Sequence, residues 1–138
     1  MKVLVDTSVW SLALRKSEKN ETETGIVAFL AELVRDTNVI IIGPIRQEIL
    51  SGISQKLKFE DLKEKLSIFK DQSLLSDDFV LAAEYFNLCR SNGIQGSHID
   101  FLICAFAVNN KFQILTLDKD FQNYKKYIPI VTIKIESV

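Results

Sequence analysis

Four acidic residues stand at the edges of apolar segments: Asp6, Glu48, Asp100 and Asp118, with Asp120 two positions further on. Asp6 closes the strand-like run Val3-Leu4-Val5, and Asp118 closes Ile114-Leu115-Thr116-Leu117. Asp100 opens a segment that is apolar nearly all the way round a helix. A carboxylate beside a core is costly unless something compensates it. Four of them gathered at one place would repel one another and demand a cation. Hard oxygen donors without soft ligands suit Mg²⁺ or Mn²⁺. A single histidine and two cysteines without a C-x-x-C pair give zinc too few ligands. No Ser-His-Asp or Cys-His set offers a protein nucleophile.

Each acid also has a local explanation. Asp is a preferred helix N-cap, although Thr7 or Ser8 can take that role and leave Asp6 free. Ser8 is then placed to hold a metal-bound water or a phosphate oxygen. Glu48 flanks the apolar stripe of a helix, where an isolated glutamate is usually solvated, and Arg46 is near enough to pair with it. Ser97-His98-Ile99-Asp100 fits the S-x-x-[DE] capping box. Asp118 and Asp120 fit a plain capping turn after a strand. His98, alone beside a cap, reads as a surface or structural residue.

The elements that must position these groups alternate in type. Val3–Val5 reads as a buried strand, followed by a helix from Val9 onward. Arg15–Thr24 is polar and reads as a loop or frayed helix end. Ile26, Val27, Phe29, Leu30, Leu33 and Val34 share one helical face. Val39–Ile42 is a second strand, after which Pro44 suits a first helical position. Ile45, Ile49 and Ile53 form an apolar stripe there, and Phe59, Leu62, Leu66 and Phe69 form another. Ser76 is expected to cap a helix that turns Phe79, Ala83 and Phe86 inward, and Gly93 to end it. Asp100–Val108 has no polar face and must run through the core. Gln113–Leu117 and Ile130–Ile135 complete the strands. Strands alternating with helices predict an α/β fold, a three-layer α/β/α sandwich around a mostly parallel sheet of four to five strands. Ligands of such sheets bind off the carboxyl ends of the strands. Asp6 and Asp118 each follow a strand, so both should project at that edge.

The chain has 138 residues, of which 47% are hydrophobic, which predicts a single domain over 1–138 with a real core. Its 17 basic and 18 acidic residues give a net charge of −1, so no global basic excess advertises nucleic-acid binding. A phosphate-bearing substrate would be held locally or through a metal. Cys89 and Cys104 fall in apolar helical patterns and are expected to be reduced and packed. No apolar run approaches the roughly 18 residues of a membrane span, and no signal peptide is expected, which predicts a cytoplasmic protein without a membrane partner.

Taken in order, the acidic segments resemble the PIN domain, in particular the small VapC-type toxin ribonucleases of toxin–antitoxin pairs. The opening Val3-Leu4-Val5-Asp6-Thr7-Ser8-Val9-Trp10 is similar to the family's first strand and first acid. Glu48, in Pro44-Ile45-Arg46-Gln47-Glu48-Ile49, matches the helical glutamate. His98-Ile99-Asp100-Phe101-Leu102-Ile103-Cys104-Ala105-Phe106-Ala107 resembles the segment of the third acid, and Thr116-Leu117-Asp118-Lys119-Asp120-Phe121 the closing T-x-D-x-D-F signature. The likeness spans Met1 to about Thr132.

The resemblance implies a Mg²⁺- or Mn²⁺-dependent ribonuclease. Asp6, Asp100 and Asp118 would hold the metal, with Asp120 as a second choice in the last motif. Glu48 would complete the acidic pocket, with Ser8 and Thr116 as supporting polar groups. Arg15, Lys16, Arg46, Lys119, Lys125 and Lys126 are the candidate phosphate contacts. The resemblance further implies a homodimer and a cognate antitoxin whose tail blocks the acidic pocket. Two other readings compete: a catalytically silent PIN-like binding domain, and a Mg²⁺-dependent phosphatase of haloacid-dehalogenase type using Asp118 and Asp120. The latter motif normally opens a chain, whereas here 18 residues follow Asp120.

Overall fold

β1 (Val3–Val5) is buried at every residue, the mark of a strand covered on both faces of a parallel sheet. It is joined by β2 (Val39–Ile42), β3 (Asp71–Gln72) and β4 (Gln113–Leu115) in the order β3-β2-β1-β4, all parallel. The computed structural model describes residues 1–134. In its register, Val3 lies opposite Val39 on one side, and Val5 lies opposite Leu115 on the other.

α1 (Thr7–Arg15) and α2 (Glu21–Arg35) connect β1 to β2, and α3 (Gly43–Leu50) and α4 (Lys56–Leu66) connect β2 to β3. α5 (Ser76–Ser91) and α6 (His98–Asn110) carry the chain back to β4, and α7 (Asp120–Tyr124) follows. Parallel crossovers are right-handed. The march from β1 to β3 therefore lays α1–α4 on one face, and the return to β4 lays α5 and α6 on the other. The packing agrees: α1 meets α2 and α3, α3 meets α4, and α5 lies along α6. The result is the expected three-layer α/β/α sandwich. Phe101–Ala107 of α6 is buried throughout, as its lack of a polar face requires. Cys89 and Cys104 are free thiols in the core.

Four local expectations need correction. α2 begins at Glu21, inside the stretch read as a loop. Asn20 accepts from the Glu23 amide at 2.8 Å while the Glu23 carboxylate accepts from the Asn20 amide at 3.0 Å, a polar capping box that looks like a loop by composition. β3 carries no apolar pattern. It is a two-residue edge strand recruited by backbone pairing to Ile41 and Ile42.

The strand expected over Ile130–Ile135 is reduced to one parallel bridge between Ile114 and Thr132. The Ile114 amide donates to Val131 at 2.8 Å, and the Ile133 amide to Ile114 at 2.9 Å. Ile135 lies outside the described residues. In α5 the N-cap is Leu75, and the inward stripe is Asp78, Ala82, Tyr85 and Cys89, leaving Phe79 and Ala83 exposed. Asp78 turns inward because it is satisfied there: its carboxylate accepts from the Leu75 amide at 2.9 Å and from Asn109 Nδ2 at 2.8 Å.

Candidate metal centre

The pairing of β1 with β4 builds the centre. The Asp6 amide donates to the Leu115 carbonyl at 2.9 Å, so Asp6 and Thr116 leave their strands side by side at the carboxyl edge. Thr116 Oγ1 donates to Asp6 Oδ2 at 2.7 Å, and Ser8 Oγ donates to the same oxygen at 2.9 Å. Asp6 is buried, and its side chain makes no helix-capping bond to α1. The local N-cap explanation therefore does not account for it. The same two hydroxyls receive the amides of the incoming loop: Leu117 donates to Ser8 Oγ at 2.9 Å and Asp118 to Thr116 Oγ1 at 3.0 Å. The expected β4 run thus stops at Leu115, because Thr116 and Leu117 spend their polar groups on this network.

Asp118 is half-buried at the end of that loop, and its Oδ1 accepts from the Asp120 amide at 2.9 Å. Asp100 arrives from the other face at the first turn of α6. Its amide donates to Ser97 Oγ at 3.0 Å, which is one half of the foreseen capping box. The carboxylate goes elsewhere and accepts from the Tyr124 hydroxyl at 2.7 Å. The backbone of Asp100 thus serves the cap, while its side chain is bonded to Tyr124.

Asp100, Asp118 and Asp120 each offer a carboxylate oxygen, and these oxygens lie within 4.8 Å of one another. Asp6 stands outside that trio but is felt by it. Burial first, and then the charges of Asp6 and Asp118, raise the Asp100 carboxyl from its ordinary 3.8 to about 6, against the lowering pull of the Tyr124 hydroxyl. Glu48 is also outside the trio, and accepts from the hydroxyl of Thr7, the residue after Asp6, at 2.5 Å. Among the described residues no lysine or arginine forms an ion pair with any of these five acids. A set of clustered, under-neutralised oxygen donors fits a hard divalent cation.

The basic candidates divide. Lys119 and Lys125 line a cleft of about 410 Å³ beside Asp118, together with Gln122, Thr132 and Lys134. Arg46 is committed to the fold: it pairs with Asp71 at 2.9 Å, not with Glu48, and donates to the carbonyls of Leu66 and Phe69. Lys16 pairs with Glu23 at 2.7 Å. Arg15 ends α1, eight residues from its start, roughly 12 Å along the helix from the acids at the rise of an α-helix. Lys126 is exposed and does not line that cleft.

Sequence reasoning missed Thr7 as a partner of Glu48, and it missed Tyr124 altogether. The period of Phe121 and Tyr124 on α7 signals burial of both. A buried tyrosine hydroxyl needs a partner, which is a signal that something polar lies opposite, but not what.

The fold described above is shared with known proteins. The PIN domain family matches residues 3–127, and the chain belongs to that family. PIN domains are in general nucleases. No protein of curated function matches the sequence. The chain is similar in structure to FitAcB from Neisseria gonorrhoeae, with a TM-score of 0.75 and 20% identity over 96% of each chain. It is similar to VapBC2 from Rickettsia felis, solved bound to a DNA fragment from their promoter, with a TM-score of 0.75 and 18% identity over 96% of this chain and 98% of that one. It is also similar to VapBC-1 from nontypeable Haemophilus influenzae, with a TM-score of 0.68 and 14% identity over 96% and 97%. At these identities the likeness is one of fold. No described helix is long and apolar enough to cross a membrane.

Proposed function

We propose that the protein is a Mg²⁺- or Mn²⁺-dependent endoribonuclease, the toxin of a toxin–antitoxin pair. The observation that carries the reading is the trio of carboxylates within 4.8 Å on a PIN fold, with no cationic side chain paired to it among the described residues. Asp100, Asp118 and Asp120 would hold the ion, and Asp6 adds its charge nearby. Ser8 and Thr116 fix the Asp6 carboxylate by donating to one of its oxygens. Glu48, held by Thr7, would complete the acidic pocket and orient the attacking water. When bound, Mg²⁺ or Mn²⁺ supplies Lewis acidity to the phosphodiester and neutralises its developing charge. Lys119 and Lys125 hold neighbouring phosphates in the cleft beside Asp118.

Solved relatives in fold are the FitAcB and VapBC complexes. That supports a cognate antitoxin partner for this chain; action on RNA in the cytoplasm, as a homodimer, belongs to the same proposal. The test is cleavage of a mixed-sequence RNA by the purified protein in Mn²⁺, with and without excess EDTA. Cleavage in Mn²⁺ that EDTA stops is expected; full activity in EDTA ends the proposal. Calorimetric titration with Mn²⁺ separates it from a silent PIN-like domain, for which neither metal uptake nor cleavage is expected.

A further inference from the structure

The Tyr124 ring is enclosed on the inner side of the acidic trio. It is 0% exposed and packs against Phe101 at 4.8 Å and Phe121 at 5.3 Å between ring centroids. Held by both rings, its hydroxyl has one direction open, and there it donates to Asp100 Oδ2 at 2.7 Å. The space for that hydroxyl exists because residue 96 has no side chain. A Cβ at Gly96 would stand 2.5 Å from Tyr124 Oη, 2.8 Å from its Cζ and 2.8 Å from Phe101 Cε2. Gly96 has no positive φ, so its lack of a side chain answers to space and not to backbone conformation.

We infer that Tyr124, admitted by Gly96, is the positioning residue that holds the Asp100 carboxylate in the orientation a divalent cation needs. The inference rests on the metal-site reading above. The phenol O–H has a proton to donate, and the geometry gives it to Asp100. A donor of this kind suits a ligand carboxylate: it fixes the group through Oδ2 and leaves lone pairs for an ion. Hydrogen bonds from outside the ligand set orient metal-binding carboxylates in this way, and their loss typically costs about 10- to 100-fold in metal affinity.

The experiment is calorimetric titration of the full chain with Mn²⁺, alongside the electron paramagnetic resonance of bound Mn²⁺. The wild type comes first: without Mn²⁺ uptake the metal-site reading falls, and this inference with it. With uptake, Tyr124→Phe keeps the ring and removes only the donor. Its Mn²⁺ affinity is expected to fall by about 10-fold or more, with an unchanged circular dichroism spectrum and a changed Mn²⁺ resonance. Affinity within twofold of the wild type in a folded Tyr124→Phe protein overturns the inference and leaves the metal site standing.

Gly96→Ala approaches the same contact from the other side, keeping hydroxyl and carboxylate but pushing them apart. It is expected to weaken Mn²⁺ binding as well. In the double variant the two losses should not add, since both act on one hydrogen bond. Full additivity overturns the role given to Gly96. Should Tyr124→Phe not fold, Gly96→Ala carries the test alone, and wild-type Mn²⁺ affinity there overturns the proposal.

Discussion

The acidic trio and the Arg46–Asp71 corner lie at different parts of one sheet and treat negative charge in opposite ways. At β3, Asp71 has a chain-supplied cation: Arg46 pairs with it and spends its remaining donors on the carbonyls of Leu66 and Phe69. Asp78, inside α5, is satisfied by Asn109 and its own helix start. At the carboxyl edge of β1 and β4, Asp100, Asp118 and Asp120 crowd within 4.8 Å with hydroxyl and amide donors around them but no paired cation among the described residues. The difference teaches how to separate structural from functional acids here. Asp71 is neutralised by its own chain, and Asp78 stands alone with both carboxylate oxygens hydrogen-bonded. The trio is left with charge to spare, which under the proposed metal site a cation would neutralise.

The contrast is broken most directly at Asp100. Asp100→Asn should lower Mn²⁺-dependent RNA cleavage by more than about 100-fold, since a direct ligand costs more than the outer partners that cost up to that amount. Cleavage assays at saturating RNA measure this, and near-normal rates would make Asp100 a capping residue only. Next in size is Thr116→Val, which strips a donor from buried Asp6. It should cost about 1–3 kcal/mol in denaturant unfolding and weaken Mn²⁺ binding about 10-fold. A stability loss with unchanged Mn²⁺ affinity would move Asp6 to the structural class.

The pH dependence sharpens the comparison further. The Asp100 carboxyl is raised in the folded state, so the folded chain holds its proton more tightly than the unfolded one. That contribution is fully present below about pH 4 and is lost as pH rises through about 6. Metal-free protein should therefore lose some thermal stability over that window, Mn²⁺ should restore it at pH 7, and Asp100→Asn should flatten the profile. The smallest effect is expected at the other corner. The Asp71–Arg46 pair is partly exposed, so Asp71→Ala should cost no more than about 1 kcal/mol. Its Mn²⁺ affinity should equal that of the wild type. A clear loss of Mn²⁺ binding there would mean that the two regions are coupled.

Much of the frame was legible in residue patterns. Val3–Val5 and Val39–Ile42 announced buried strands, and the all-round apolar α6 announced its passage through the core. The misses have physical causes. β3 exists through backbone pairing to a strand distant in sequence, which leaves no local pattern, and the apolar run from Ile130 pairs through one bridge only among the described residues. The inward stripe of α5 was misjudged because an aspartate, Asp78, takes a core position that composition assigns to Phe79. A pairing of Arg46 with its neighbour Glu48 was the local expectation, while its partners in the structure lie 20 to 25 positions away.

The sequence by itself determined which residues could do the chemistry: oxygen-donor acids at the ends of apolar runs, with too few soft ligands for other metals. It also determined that those runs would be buried, since burial follows from residue type and period. Only the tertiary structure decided how the acids meet. The parallel pairing of β1 with β4 sets Asp6 against Thr116, α6 delivers Asp100 from the opposite face, and Tyr124 reaches it through the space at Gly96. Hydrogen-bond geometry between groups up to 110 residues apart is fixed by packing, and packing has no signature in any local stretch of chain.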